Sequence, residues 1–413
     1  MRALIGALEC VTAMSNRVRG GLTLFLLVLL VGGAFGAGYL TRELLNGRGS
    51  ASPAYAEQEM ALFNEAWGLI EENFIGVIPD SRAVTYGVIR GALSTLADPY
   101  TVFIEPAARE VERERLQGTF GGIGAYITRS EETGEVILEP IPGNPAEAAG
   151  ILTGDVLLAV DGNPITAEET VPDIIERVKG EKGTTVVLTV RHPGAAEPVD
   201  ISVVRDDILL PSVVYRLLEQ DATIGYIQLS RFSGESSTEV GVALQALQAQ
   251  GATKFILDLR QNGGGLRDAA VEVVDHFLAD GPVLILESQE EGERIFNATA
   301  ETIALNEPLV VLVDGGTASA SEIVAGALQD RGRAALIGNS PTFGKGSVQL
   351  VFDLSDGSSV HVTSARWLTP NRHQIDQSGL QPDVLVEVTQ DDIDNGRDPV
   401  LDRAVTYLQE ATP

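Results

Sequence analysis

The chain has 413 residues, 44% apolar and 21% charged, with 58 acidic side chains against 29 basic ones. That length allows two or three domains with their own cores, and a formal charge of −29 excludes a nucleic-acid binder, which needs a basic face to neutralise phosphates. The single cysteine, Cys10, and four scattered histidines (His192, His276, His361, His373) exclude disulfide frameworks and zinc-hydrolase spacings, so no metal or cofactor is expected.

Residues 1–19 read as a cytoplasmic tail carrying Arg2, Arg17 and Arg19. The next segment, 20–40 (GGLTLFLLVLLVGGAFGAGYL), holds no charge, and a helix of that length reaches about 30 Å, the hydrocarbon thickness of a bilayer. The basic residues before it place the N-terminus inside. The expectation is one transmembrane helix in a bacterial-type plasma membrane, with the rest of the chain extracytoplasmic. A cleaved signal peptide processed near AFGAG is the alternative, and it would release the same remainder. A small-residue linker covers 41–54. From 55 to 117 apolar residues recur at helical spacing in three stretches, one of them stopping before Asp98-Pro99.

From 118 to 206 the pattern changes to short strands, glycine turns and two helical pieces, which predicts a small β-rich domain. From 207 to 389 strands alternate with helices, predicting an α/β core, and 390–413 closes the chain with a helix. The predicted fold is therefore an α/β (α+β) core with an inserted β-rich domain, a helical N-terminal segment and one membrane helix.

Within the β-rich stretch, GTFGGIGAYI (Gly118–Ile127) is followed by IPGNPAEAAGILTGDVLLAVDGNPI (Ile141–Ile165). Successive N–H groups of a glycine loop can hold a terminal carboxylate, and a strand behind the loop can pair with an incoming peptide. The combined pattern resembles a PDZ domain. The resemblance implies that Gly122, Ile123 and Gly124 form the peptide-binding loop.

Three segments of the core carry candidate chemistry: LDLRQNGGGL (Leu257–Leu266), VDGGTASASEIVAGALQD (Val313–Asp330) and TFGKGSVQL (Thr342–Leu350). Ser319 stands where a strand passes into a helix, near N–H groups that can stabilise an oxyanion. Ser319 and Glu322 also match a capping box, in which the serine only caps the helix. GNSPTFGKGS has the wrong glycine spacing for a phosphate loop, and Gly346 replaces its Ser/Thr.

Together the three segments resemble the carboxyl-terminal processing proteases, also called tail-specific proteases. That resemblance implies a Ser/Lys-dyad endopeptidase with Ser319 as nucleophile, Lys345 as general base and Gln349 positioning the amine. It also implies an oxyanion hole from the N–H groups of Gly264 and Ala320. A lysine can act as base only when neutral, and burial against Phe343 and Val348 would favour that form. The partners expected are protein or peptide substrates, exported or membrane-bound, held by their C-termini. No nucleic acid is expected, and self-association into a homo-oligomer is allowed. Two rival readings are an inactive PDZ scaffold and a Ser/His/Asp hydrolase using His361 or His373.

Overall fold

A computed structural model describes residues 53–299 and 302–410. It divides into two compact units, 1–84 and 85–413. The described part of the first is helix α1 (Pro53–Asn73) and the opening of α2 (Ser81–Ser94), where Asp80 accepts the Ala83 N–H at 2.8 Å.

The second unit continues with β1 (Val102–Ile104), α3 (Pro106–Gln117), β2 (Thr119–Gly122), β3 (Ala125–Arg129), β4 (Val136–Pro140), α4 (Pro145–Ala149), β5 (Asp155–Val160), β6 (Asn163–Pro164), α5 (Val171–Val178), β7 (Thr185–Arg191), β8 (Val199–Val204) and β9 (Asp206–Leu209). Strands β3-β4-β5-β7-β8 form an antiparallel sheet in that order, which leaves β3 as an open edge. Val186, Leu188 and Val190 alternate inward along β7, as the period-two pattern dictates, and join Ile123, Leu138 and Ile174 in one apolar core. The strands entering and leaving this domain, β2 and β9, pair with each other from Thr119↔Leu209 to Gly122↔Asp206. The inserted domain is thus tied off by a two-stranded stem.

The core follows with β10 (Val213–Leu218), β11 (Asp221–Leu229), α6 (Ser236–Ala249), β12 (Lys254–Asp258), α7 (Arg267–Asp275), β13 (Pro282–Ser288), β14 (Gly292–Asn297), β15 (Leu309–Val313), α8 (Ala320–Asp330), β16 (Ala335–Gly338), β17 (Ser347–Asp353), β18 (Ser359–Leu368), β19 (Val384–Leu385), α9 (Gln390–Asp394) and α10 (Pro399–Glu410). Its main sheet is ordered β10-β11-β12-β15-β16-β19 and is parallel from β11 onward. FIL (Phe255–Leu257) and LVVLV are unbroken apolar runs because both faces of a parallel sheet are covered. Leu257 and Val311 meet α6, α7 and α8 on one side, and Ile256, Val310 and Leu312 meet α10 on the other. A second sheet runs β1-β18-β13-β14, with β17 on β18.

The expected membrane helix must be corrected. Residues 20–40 lie outside the described residues, and among the described residues no helix is long and apolar enough to cross a membrane. Helix α1 has the length, at 21 residues, but its sequence carries Glu57, Glu59, Glu65, Glu71 and Glu72. A carboxylate at mid-bilayer costs about 2.5–3.5 kcal/mol on insertion scales. The single-pass architecture, the membrane as a partner and the plasma-membrane placement are therefore withdrawn.

Candidate active site

The loops that leave β12 and β15 at their C-terminal ends lie side by side, the place where open parallel sheets collect functional residues. Asn262, fully buried, joins them. Its Nδ2 donates to the Leu229 carbonyl at 2.8 Å, and its own carbonyl accepts the Ala318 N–H at 3.0 Å and the Ser321 hydroxyl at 2.8 Å. Gly264 has φ +98°, and a Cβ there would stand 2.7 Å from the Ala318 oxygen and 2.9 Å from Ser319 Cβ. Only glycine lets the two backbones approach this closely.

Ser319 adopts φ 56° and ψ −116°, a conformation L-residues rarely hold, at the entrance of α8. An ordinary N-cap is extended and accepts a helix N–H through its side chain. Here only the glutamate half of the capping box forms: the Ser319 N–H donates to Glu322 Oε2 at 2.8 Å, while the Glu322 N–H goes to the Ser319 carbonyl. The Ser319 hydroxyl makes no cap hydrogen bond.

Glu322 is the residue sequence reasoning undervalued. It is 0% exposed, and its other bonds reach the TFGKG turn: from Thr342 Oγ1 at 2.5 Å, from the Gly344 N–H at 2.7 Å and from the Lys345 N–H at 2.9 Å. One carboxylate therefore binds the backbone of both residue 319 and residue 345. An acid within the apolar helix ASEIVAGAL was the available signal.

Lys345 is half-buried, and its Nζ lies 5.1 Å from the centre of the Tyr100 ring. Burial pushes the ammonium below its usual value, against the opposing pull of Glu112 and Glu322. Phe343, expected as a wall, is 53% exposed and does not serve as one. Val348 packs against the core.

The structure does not hydrogen-bond Lys345 to Ser319 or to Gln349 among the described residues. Gln349 Nε2 donates to Ser347 Oγ at 2.9 Å and to Thr363 Oγ1 at 3.2 Å. The strand register shifts between Val348 and Gln349, so Val348 faces Ala365 and Gln349 faces Thr363. Such a bulge re-aims a side chain, which simple alternation could not anticipate.

Of the two expected oxyanion donors, the Ala320 N–H has no acceptor among the described residues, whereas the Gly264 N–H donates to Asn262 Oδ1 at 2.9 Å. The Gly265 N–H, one residue on, also lacks an acceptor among the described residues. Gly263 to Gly265 line a cavity of about 370 Å³ that also touches Glu112, Arg231 and Phe232. Neither histidine of the rival triad bonds to Ser319 among the described residues: His361 faces Glu112 at 3.2 Å and His373 faces Asp330 at 3.5 Å.

In the β-rich domain, Gly122 ends β2 opposite Asp206, and Ile123 is buried, its carbonyl accepting the Ala146 N–H at 2.7 Å. Gly124 has φ +70° and sits where a Cβ would meet Asn144 at 2.3 Å. The N–H groups of Ile123 and Gly124 have no acceptor among the described residues, and both precede the open edge strand β3.

Core and inserted domain together define a serine peptidase that carries a PDZ domain: residues 223–386 match Peptidase family S41, and residues 136–192 match the PDZ domain. The chain is 38% identical over 384 residues to a carboxyl-terminal-processing protease of Picosynechococcus sp., covering 90% of this chain and 91% of the relative. It is 38% identical over 327 residues to a protein of the same description from Synechocystis sp., with 78% and 76% covered. Against the carboxy-terminal processing protease CtpA of Bacillus subtilis the identity is 33% over 360 residues, covering 87% and 75%. The chain belongs to the carboxyl-terminal-processing proteases of family S41.

Proposed function

We propose that this peptidase works as an endopeptidase through a Ser319/Lys345 dyad on polypeptides presented by their C-terminal tails. The observation that carries the reading is the Glu322 carboxylate, which holds the Ser319 N–H at 2.8 Å and the Lys345 N–H at 2.9 Å. Neutral Lys345 swings from the Tyr100 ring to the Ser319 hydroxyl and takes its proton. Ser319 Oγ then attacks the scissile carbonyl carbon, and the oxyanion accepts hydrogen bonds from the Ala320 N–H and the Gly264–Gly265 backbone. The Lys345 ammonium returns its proton to the leaving amine, and water, deprotonated by the same amine, hydrolyses the acyl-enzyme.

A fluorophosphonate probe should label the wild-type chain and fail to label Ser319→Ala, with the denaturation midpoint unchanged. Labelling that persists in Ser319→Ala would refute the nucleophile. The inactive-scaffold alternative is not favoured, since Ser319, Lys345 and Gln349 are all present.

The Ile123 and Gly124 N–H groups, which have no acceptor among the described residues, support capture of a chain-terminal carboxylate, with the peptide added along β3. A hydrogen bond to a charged group contributes about 1.5–3 kcal/mol. A labelled peptide with a free C-terminus should therefore bind the Ser319→Ala protein about tenfold or more tightly than its C-terminal amide, read by anisotropy. Equal affinities would remove the carboxylate loop from the mechanism.

A further inference from the structure

The segment Asp98-Pro99-Tyr100-Thr101 lies far from the dyad in sequence, and only the Tyr100 ring enters the chemistry above. Helix α2 ends at Ser94, Ala97 turns the chain with φ 53°, and Pro99 keeps Asp98 out of the helical region. Ending a helix needs no further bonds, yet this segment makes several. Asp98 Oδ1 accepts the Tyr100 N–H at 3.1 Å, and Asp98 Oδ2 accepts the Thr101 hydroxyl at 2.6 Å. Thr101 Oγ1 in turn accepts the Thr363 N–H at 3.1 Å. Thr363 Oγ1 receives the Gln349 amide at 3.2 Å. Beside this chain of bonds, the Tyr100 ring covers Lys345 Nζ at 5.1 Å.

We propose that Asp98–Thr101 is a positioning element for the catalytic base: Tyr100 walls the Lys345 amine from water, and Asp98 with Thr363 fixes which way the Gln349 amide points. The inference rests on Lys345 acting as the base.

The direction of the hydrogen bonds carries the second half. The NH₂ end of the Gln349 amide donates to both Ser347 Oγ and Thr363 Oγ1, and the Asp98–Thr101 bonds hold the Thr363 backbone behind it. Gln349 Oε1 is left turned away from Thr363 and free to accept from an incoming Lys345 N–H. An amine whose proton is held there presents its lone pair to another group, which the dyad requires to be the Ser319 hydroxyl. Reversing the amide would direct N–H groups at the amine instead.

The first half involves two opposing effects. A ring face attracts an ammonium by about 0.5–1 kcal/mol at an exposed site, which by itself would keep Lys345 charged. The same ring excludes water from the amine, and the ammonium is the form that loses most by that exclusion. Burial is the larger influence on Lys345. Tyr100 is therefore assigned to the side that favours the neutral amine.

The test is the pH profile of kcat/KM for tailed-peptide cleavage. Tyr100→Ala should move the rising limb upward by about one pH unit, so that cleavage at neutral pH falls about tenfold and recovers at high pH. Tyr100→Phe should keep the wild-type limb. A uniform loss at every pH in Tyr100→Ala, or a limb that moves downward, would overturn the wall. Thr363→Val should lower kcat at least tenfold with KM little changed, and Thr363→Ser should restore it. Full activity in Thr363→Val would overturn the amide-orienting role, and this pair decides should Tyr100→Ala not fold. Failure of the dyad itself looks different, because Lys345→Ala would then retain turnover and the wild-type limb would not belong to Lys345.

Discussion

Lys345→Ala is expected to lower kcat/KM at neutral pH by about 10²–10⁴-fold, the usual contribution of a positioned general base. Wild-type activity should rise with pH as the Lys345 amine loses its proton. Burial holds the midpoint below the ordinary lysine value of about 10.4. Lys345→Arg keeps a cation that never deprotonates and should be inactive across the range. The stability consequence follows pH in the same direction. A lysine whose folded value is depressed holds its proton more weakly when folded, so the buried ammonium disfavours the fold below that value. The penalty is lifted as pH rises through the folded value toward the unfolded one. Lys345→Met should therefore resist denaturant at least as well as wild type at neutral pH while losing turnover. That pairing marks a residue held for chemistry rather than for stability. Cleavage retained in Lys345→Ala, measured on a peptide with a free C-terminus, would return the choice to His361 or His373. Those histidines face Glu112 and Asp330, and neither bonds to Ser319 among the described residues.

The strands that were plain in the sequence are those whose residues do one thing. LVVLV reads as a buried strand because every position is apolar, and it runs Leu309–Val313. TVVLTVR alternates and forms β7 at Thr185–Arg191. Strands such as β9, β10 and β14 are less legible, because they expose charged or polar residues such as Asp206, Arg216 and Glu293, and β9 pairs with β2, far away in sequence. The site shows the same division. Ser319 and Lys345 stand in short motifs that can be read locally. Asn262, Tyr100 and Thr363 act through contacts that only the folded chain creates, and the bulge before Gln349 is invisible to any periodic rule. Phe343 was misjudged because an aromatic residue beside a lysine in sequence points outward here, while the ring that covers the amine comes from residue 100.

Glu322→Gln should cost both stability and turnover, for one geometric reason. Each carboxylate oxygen accepts twice: Oε1 from Thr342 Oγ1 and the Gly344 N–H, Oε2 from the Ser319 and Lys345 N–H groups. An amide keeps one accepting oxygen and replaces the other with a donor, which then confronts two donors. At about 1.5–3 kcal/mol for a bond to a charged group, the two lost bonds amount to roughly 3–6 kcal/mol. The fold should be destabilised by that order in urea. If Oε2 is the atom replaced, the Ser319 and Lys345 backbones lose their common anchor. A displacement of about 1 Å at a reacting group can lower the rate about 10²-fold, so kcat and the rate of fluorophosphonate labelling should fall together. Glu322→Asp tests reach without changing charge. One methylene shorter, it cannot span from the α8 entrance to both Gly344 and Lys345, and it should show the same paired loss in milder form. Were Glu322→Gln to unfold at the wild-type urea concentration and label at the wild-type rate, the shared carboxylate would be incidental. The coupling of the two segments would then have to run through bonds such as that from the Phe343 N–H to the Thr317 carbonyl at 2.9 Å, just ahead of the ASASE helix.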